Sequence, residues 1–450
     1  APPAVANSAP SFADVVSHVK PAVVSVKVNI EDATASADDG ENGMEQIPPD
    51  MREFFKRFGG GQNFGKPIVR HGVALGSGFI ISADGYVVTN NHVVEKGGKE
   101  VTVTLDSGKE LKAKVIGTDP KTDLALLKIQ ESGDYPYVKF AKELPRVGDW
   151  VIAVGNPFGL GGTVTAGIVS ARGRDIGSGP YDDFIQIDAP VNHGNSGGPT
   201  FNNDGEVVGV NTAIFSPSGG SVGIGFAISA DVVQMVMQQL KDHGSVSRGW
   251  LGVEIQPVTP DLADSLGVKP DTGALVAKET PDSPAAKAGV KIGDVIAAID
   301  GQAVASPRDL ARRIAALGPK KSVSLTLSRD GKETHLDVML GSMPSDKTLA
   351  LAETPAHAGR EAASPLEQLG LKLAPGKDGG VRIVGVDSDS PAGQRGLSEG
   401  DVIVDAGGKE VANPSDIAAA LDEARNAGRK SVLLRVRTDQ SVRFVALPVK

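Results

Sequence analysis

The sequence predicts a mostly β protein: one domain of many short strands, followed by two copies of a smaller strand-and-helix module. Three observations carry this expectation. The first half is a series of short Val-, Ile- and Thr-rich runs broken by Gly, Pro and Asp-Gly pairs. The second half contains an internal repeat that aligns without gaps. The composition has 56 Gly and 29 Pro in 450 residues but only 4% aromatics, which favours turns and aliphatic cores. A chain of this length outgrows a single hydrophobic core, so about three domains are expected.

In the first half, strands are predicted at Ala22–Val28, Gly78–Ile81, Tyr86–Thr89, Val101–Leu105, Leu124–Ile129, Trp150–Val154, Phe184–Ile187 and Val207–Asn211. Turn pairs such as Asp84-Gly85 and Asp204-Gly205 separate them, the pattern of an all-β barrel or sandwich. A helix is predicted over Ser229–Lys241, with Gly244 as its stop. One insertion, Glu31–His71, is polar, Gly-rich and longer than an ordinary connection. Within it Met51, Phe54, Phe55 and Phe58 fall at i, i+3, i+4 and i+7, one face of a short helix. That face either folds back on its own domain or serves as an apolar arm toward another subunit.

In the repeat, Asp282-Ser-Pro-Ala285 matches Asp389-Ser-Pro-Ala392, a separation of 107 residues. At the same separation Gly289, Gly293-Asp-Val-Ile296, Gly301, Pro307 and Asp309 match Gly396, Gly400-Asp-Val-Ile403, Gly408, Pro414 and Asp416. Glycines and prolines dictate backbone turns, so their coincidence means one module built twice. Each copy reads strand, short helix at Ser-Pro-Ala, strand, helix, strand. The second helices are expected at Ser306–Leu317 and Asn413–Ala427, and the final strands at Val323–Ser328 and Val432–Arg437. The Ala-, Pro-, Glu- and Ser-rich stretch between the copies reads as a linker. The predicted domains are residues 1–245, 246–343 and 364–450, with a linker over 344–363.

The formal net charge of −9 argues against a broad nucleic-acid footprint. Cysteine is absent, which excludes disulfides, thiolate zinc sites and a Cys nucleophile. No apolar run approaches the 18 or so residues of a membrane-spanning helix. The small, extended start Ala1–Pro10 reads as the beginning of a mature chain after signal removal. Phosphate-loop and zinc-protease motifs are missing, and no metal or organic cofactor is expected.

The sharpest motif is Asn192-His-Gly-Asn-Ser-Gly-Gly-Pro199. Glycines around Ser196 allow a sharp turn, on which the N–H groups of Gly194 and Ser196, with Asn195 between them, converge beside the hydroxyl. That is the form of an oxyanion hole. A serine needs a base to become a nucleophile. Of seven histidines, His92 is the best candidate, because it follows the strand Tyr86–Thr89 and so reaches a rim. His193 lies beside Ser196 in sequence, which does not give a base its geometry. The base in turn needs a carboxylate. Asp123 fits, because it opens the apolar strand Leu124–Ile129; Asp119 competes, but Asp119-Pro120 reads as a turn. His92, Asp123 and Ser196 run in the chymotrypsin order, 31 and 73 residues apart.

With Gly76-Ser-Gly-Phe79, Thr89-Asn-Asn-His92, Thr122-Asp-Leu-Ala-Leu126, Gly155-Asn-Pro-Phe-Gly159 and Gly194-Asn-Ser-Gly-Gly198 in order, the chain resembles the HtrA/DegP (Do-like) serine proteases over nearly its whole length. The repeat copies look like two PDZ domains. The resemblance implies a chymotrypsin-like double β-barrel, then two PDZ domains, in a periplasmic quality-control protease. It places the nucleophile at Ser196, the base at His92, the orienting acid at Asp123 and the oxyanion hole at Gly194 and Ser196. It further implies trimers that assemble into larger oligomers, unfolded proteins as substrates, and C-terminal peptides as PDZ ligands.

A PDZ ligand adds as a strand, with its carboxylate on the N–H groups of a preceding loop. In the first copy that stretch is Arg248, Gly249, Trp250, Leu251, Gly252 and Val253; the second copy has Leu369-Gly-Leu-Lys-Leu373 without the Arg and Trp, so the first is expected to bind better. The glycines of Ala171–Asp183 predict a mobile loop there; by the same resemblance it is the sensor loop, with Arg174 its contact to the first PDZ domain. The strand near Ile224–Ile228 and the residues just before Ser196 put no acid at the expected base of the specificity pocket, which predicts cleavage after small or medium apolar residues. The alternatives are a scaffold with minor proteolysis and a signalling protease; the latter is disfavoured by two PDZ copies and no apparent anchor.

Overall fold

The computed structural model describes residues 11–31, 71–95, 100–156, 162–179, 181–192, 194–216, 220–329, 331–344, 364–366, 369–376, 379–438 and 441–449. The Met51–Phe58 pattern, His193 and nearly all of the linker lie outside them. The chain divides into two compact units, Ala1–Val246 and Ser247–Lys450.

The first unit begins with α1 (Ala13–Val19) and continues into a closed barrel of β1 (Val23–Glu31), β2 (His71–Ile80), β3 (Tyr86–Asn90), β4 (Glu100–Thr104), β5 (Glu110–Asp119) and β6 (Leu124–Ile129). A one-turn helix α2 (Asn91–Val94) follows β3. A second closed barrel comprises β7 (Trp150–Gly155), β8 (Thr163–Arg174), β9 (Phe184–Ile187), β10 (Pro199–Phe201), β11 (Val207–Ile214) and β12 (Gly225–Ser229). Helix α3 (Ala230–His243) then packs on β5, β6 and β11, and Gly244 ends it in the left-handed conformation.

The apolar runs of the sequence now have a reason. Along β6, Leu124 and Leu126 point into the core between the barrels, whereas Ala125, Leu127 and Ile129 fill the first barrel. Along β7, Ile152 and Val154 face the shared core, whereas Val151 and Ala153 fill the second barrel. Strands apolar on both faces are buried on both faces, and these two contribute to the core that the barrels share with β2, β3, β10, β11 and α3.

The second unit holds a six-stranded and a seven-stranded antiparallel sheet. It opens with β13 (Gly249–Trp250), β14 (Val253–Gln256), α4 (Pro260–Leu266) and β15 (Ala274–Glu279). Next come α5 (Pro284–Ala288), β16 (Val295–Ile299), β17 (Gln302–Ala303), α6 (Pro307–Leu317), β18 (Ser322–Arg329), β19 (Lys332–Met339) and β20 (Gly341–Ser342). The second module has β21 (Ser364–Leu366), β22 (Leu371–Pro375), β23 (Val381–Val386), α7 (Pro391–Gln394) and β24 (Val402–Ala406). It ends with β25 (Lys409–Glu410), α8 (Pro414–Asn426), β26 (Ser431–Arg437) and β27 (Val442–Pro448). The repeat reproduces helix caps: Ser283 accepts from Ala286 N–H, and Ser390 from Gly393 N–H. Asp309 and Asp416 likewise accept from Ala305 and Ala412 N–H ahead of α6 and α8.

One difference separates the modules. In the first, β14 is an edge strand with no strand outside it among the described residues. In the second, the matching strand β22 is covered by β21, antiparallel, with Ser364 opposite Leu373 and Leu366 opposite Leu371. The modules are joined where the Gln256 amide pairs with both backbone groups of Phe444. Phe444 and Ala446 share a buried cluster with Val258, Leu262, Leu275 and Ala277.

Candidate active site

Asp123 sits immediately before β6 at φ 54°, a left-handed conformation that Asp tolerates better than most residues. This turn directs its carbonyl at the segment carrying His92. Asn90 Nδ2 donates to that carbonyl at 2.8 Å and Asn91 N–H at 3.1 Å. The carboxylate then grips His92 twice: Oδ1 accepts the backbone N–H at 2.9 Å, and Oδ2 lies 2.6 Å from Nδ1. With the proton on Nδ1, the lone pair of Nε2 is left free, the tautomer a general base needs.

The His92 pKa is raised above the ordinary 6.5, first by the hydrogen bond to Asp123 and further by the charges of Asp123 and Glu95; partial burial opposes this. The protonated pair stabilises the fold fully below the ordinary imidazole value, and that contribution is lost as pH rises through the raised value. Activity has the opposite sign, because only the neutral ring accepts a proton. The acid limb of the pH–rate profile is therefore expected above the ordinary imidazole range.

Ser196 is held by a chain of turns. Asn195 N–H donates to Asn192 O at 3.0 Å, with Gly194 at φ 91° inside the turn, a position that takes glycine. Gly198 N–H donates to Asn195 O, and Gly197 N–H to Asn211 O on β11. Gly197, at φ 84°, has no space for a side chain: a Cβ would lie 2.2 Å from Ser77 O and 2.4 Å from Thr89 Oγ1. Glycine thus lets the serine turn close on the end of β3, just ahead of His92. The N–H groups of Gly194 and Ser196 donate to no protein acceptor among the described residues. Nor is a hydrogen bond between Ser196 Oγ and His92 formed among them; such contacts commonly tighten only when substrate is bound.

The other candidates fall elsewhere. Asp119 is buried and takes the Thr122 hydroxyl and N–H within its own turn. His18 is on α1, His243 ends α3, and His335 is on β19. The residues missed by sequence reasoning are supports: Ser77, Asn90, and Thr212, whose hydroxyl accepts from Asn90 Nδ2 at 3.1 Å. Ser77 stands within Gly76-Ser-Gly-Phe79, but a buried serine carries no chemical signal of its own.

The loop expected over Ala171–Asp183 starts later than the sequence suggests. Ala171–Arg174 belong to β8, and Arg174 closes it, opposite Phe184, with Nε donating to Gln186 Oε1 at 2.9 Å. The turn beyond is pinned by the buried Asp182 carboxylate, which accepts from Ile176 and Ser178 N–H. Cross-strand pairing with β9 thus carries the strand past Gly173.

In the first repeat module, Arg248 is buried, Gly249 and Trp250 pair with β20, and Gly252 turns at φ 81° into β14. The carbonyls of Leu251 and Gly252 are taken by Ala285 and Thr280 N–H, whereas the N–H groups of Leu251 and Gly252 have no protein acceptor among the described residues. Val253 begins β14 opposite Glu279. This loop presents donors at the head of an open strand edge.

Among the described residues no group of His, Asp or Glu is arranged to hold a metal ion, and no helix is long and apolar enough to cross a membrane.

Two closed six-stranded barrels, with a His–Asp pair on the first and a serine in a glycine turn on the second, define a chymotrypsin-like serine endopeptidase. Residues 76–210 match the trypsin-like peptidase domain family, and residues 249–340 and 367–447 each match the PDZ domain family. A probable periplasmic serine endoprotease, DegP-like, of Rhizobium meliloti is 50% identical over 99% of this chain and 93% of its own. Its counterpart in Brucella suis is 50% identical over 97% of this chain and 89% of its own. Among solved structures, the HtrA-type protease AlgW with a decapeptide is 40% identical, with TM-score 0.60, over 75% of this chain and all (100%) of that one. A serine endoprotease from Yersinia pestis is 30% identical, with TM-score 0.53, over 75% and 100% of the respective chains. The chain belongs to the HtrA/DegP-like family of periplasmic serine endoproteases.

Proposed function

We propose that the protein degrades unfolded or misfolded envelope proteins without ATP, using Ser196 as nucleophile, His92 as general base and then acid, and Asp123 as orienting group. The observation that supports these roles most directly is the double grip of Asp123 on His92, with the Ser196 turn closed against the strand that leads to it. Ser196 Oγ attacks the scissile carbonyl as His92 Nε2 takes its proton. The N–H groups of Gly194 and Ser196 receive the oxyanion, and His92 protonates the leaving amine. Water then attacks the acyl-enzyme, with His92 again as base.

The segments beside the serine turn are apolar. Val191 is buried, and Gly225-Phe-Ala-Ile228 of β12 follows Ile224. The adjacent acid, Asp188, is engaged by Ile168 N–H at 2.6 Å. Such a pocket suits Val or Ala at the cleaved position, side chains exposed mainly in unfolded chains. Digestion of unfolded casein against a compact folded protein tests this. Wild type is expected to cleave casein broadly and spare the folded protein, and equal cleavage of both would contradict it. Chaperone activity is expected to survive in Ser196→Ala as suppression of the aggregation of an unfolding client.

For peptide recognition, the loop Arg248–Val253 and the open edge of β14 suit a C-terminal carboxylate and an added strand. The edge of β22 is already paired to β21. Calorimetry with a peptide of apolar C-terminus is expected to show one site per chain. That site should be lost in Gly252→Val, whose β-branched side chain opposes the positive φ; two equal sites would contradict the assignment.

Arg174 is proposed to relay peptide binding to the protease site. A ligand shifts an equilibrium only by its differential affinity, and moving 1:99 to 99:1 takes about 5.5 kcal/mol, which favours several subunits acting together. Sigmoidal activation of casein cleavage by peptide is expected, and Arg174→Ala should blunt it. Full activation of that variant would remove Arg174 from the relay.

Trimers stacking into larger assemblies are proposed, with Phe54, Phe55 and Phe58 as the arm. Deleting residues 47–61 is expected to change the sedimentation distribution or raise basal activity; no change in either would leave the segment a local packing element.

A further inference from the structure

We infer that Ser77 is a positioning residue that sets the geometry of the oxyanion hole; this rests on the reading of the Gly194 and Ser196 N–H groups given above. Ser77 lies on β2, in the first barrel, and is fully buried, so it does not meet substrate. All of its polar groups are engaged around the nucleophile turn. Its hydroxyl donates to Gly194 O at 2.6 Å and accepts from Asn156 N–H at 2.8 Å. Its backbone N–H donates to Ser196 O at 2.9 Å, and its carbonyl accepts from Thr89 Oγ1 at 2.7 Å.

The order of peptide planes gives these contacts their meaning. The N–H of Ser196 belongs to the plane that also carries Asn195 O. The planes on either side of it carry Gly194 O and Ser196 O, and Ser77 holds both. Gly198 N–H holds Asn195 O, so three successive carbonyls are fixed. A plane whose neighbours cannot rotate keeps its N–H aimed, which is the preorganisation that oxyanion stabilisation requires. Ser77 and Asn156 also tie the two barrels to the turn from opposite sides, because Asn156 directly follows β7.

The hydroxyl's one proton goes to Gly194 O, and an oxygen lone pair takes Asn156 N–H. Ser77→Ala leaves both groups without these bonds, in a place where Asn156 is only 1% exposed. The backbone contact to Ser196 O survives in the variant. The defect is thus confined to the Gly194–Asn195 plane and the Asn156 N–H.

The experiment compares wild type, Ser77→Ala and Ser196→Ala as full chains, with three readouts: steady-state cleavage of a fluorogenic peptide, affinity for a peptide aldehyde, and affinity for the corresponding product peptide. The aldehyde adds the Ser196 hydroxyl across its C=O and places the resulting oxygen in the hole, so it reads the hole directly. Removing a whole oxyanion donor costs about 10²–10³-fold in turnover, and a support one contact away is expected to cost about 10–10²-fold. Ser77→Ala is expected to lower kcat by that factor with KM unchanged. Aldehyde affinity should fall in parallel, while product affinity stays at the wild-type value.

Wild-type kcat in folded Ser77→Ala, or lowered kcat with wild-type aldehyde affinity, would overturn the inference. If Ser77→Ala does not fold, Ser77→Cys takes its place, its thiol being a weak donor of similar size. The same parallel fall, smaller in size, is expected, and wild-type aldehyde affinity overturns the inference there too. Ser196→Ala separates the two readings. If it binds aldehyde as tightly as wild type, the nucleophile assignment itself fails. If it loses aldehyde affinity while the Ser77 variant keeps it, only the role of Ser77 fails.

Discussion

Ser196→Ala is expected to lower casein and peptide turnover by about 10⁶-fold, the scale on which removing the nucleophile of a Ser–His–Asp set acts. The size follows from the chemistry: without Oγ there is no acyl-enzyme, and His92 has nothing to deprotonate. The fold should be untouched. The turn around residue 196 is held by backbone bonds from Asn195, Gly197 and Gly198 and by Ser77 N–H to the residue 196 carbonyl, none of which uses the lost hydroxyl. An unchanged circular dichroism spectrum and melting midpoint, with turnover at the detection limit, is the expected pair of results.

Asp123→Asn is expected to cost about 10⁴-fold in turnover. An amide oxygen still accepts one His92 hydrogen, so the ring stays near its place. The amide nitrogen, however, does not accept, and if it faces Nδ1 it favours the tautomer whose Nε2 carries the proton and cannot act as base. The variant also removes the main reason the His92 pKa is raised. Its residual acid limb should therefore move to lower pH than that of wild type. A residual limb at or above the wild-type position would mean that Asp123 does not set the imidazole.

How much of this was legible in the sequence depends on which interaction decides each element. β6 and β7 were readable because residues apolar on both faces form unbroken runs. β5 was missed: Leu111 and Ala113 alternate with Glu110, Lys112 and Lys114, a pattern that is short and half exposed. β8 was missed because Thr163-Val-Thr-Ala-Gly167 has little hydrophobic contrast, and β10 because three residues give no period. The repeat was readable because turns and caps are written in Gly, Pro, Ser and Asp at fixed offsets.

At the site, the three chemical residues stood out because His, Asp and Ser occur in marked local contexts. Their supports did not. The acceptance by Ser77 of a bond from Asn156, 79 residues away, and its gift of one to Gly194, 117 residues away, are facts of barrel packing. Arg174 illustrates the converse error. Its flanking glycines suggested a loop, but pairing with β9 and the bond to Gln186 made it the end of a strand. The covering of β22 by β21 was likewise invisible, since Ser364-Pro-Leu366 carries no strand signature.

Reaction with diisopropyl fluorophosphate, followed by intact mass and peptide mapping, tests the central claim most directly. The reagent phosphorylates a serine only where a base activates its hydroxyl and an oxyanion site receives the phosphoryl oxygen. One adduct per chain is predicted, on Ser196, formed more slowly at low pH as His92 becomes protonated, and absent in Ser196→Ala. An adduct on another serine, or active enzyme with no adduct on Ser196, would contradict it.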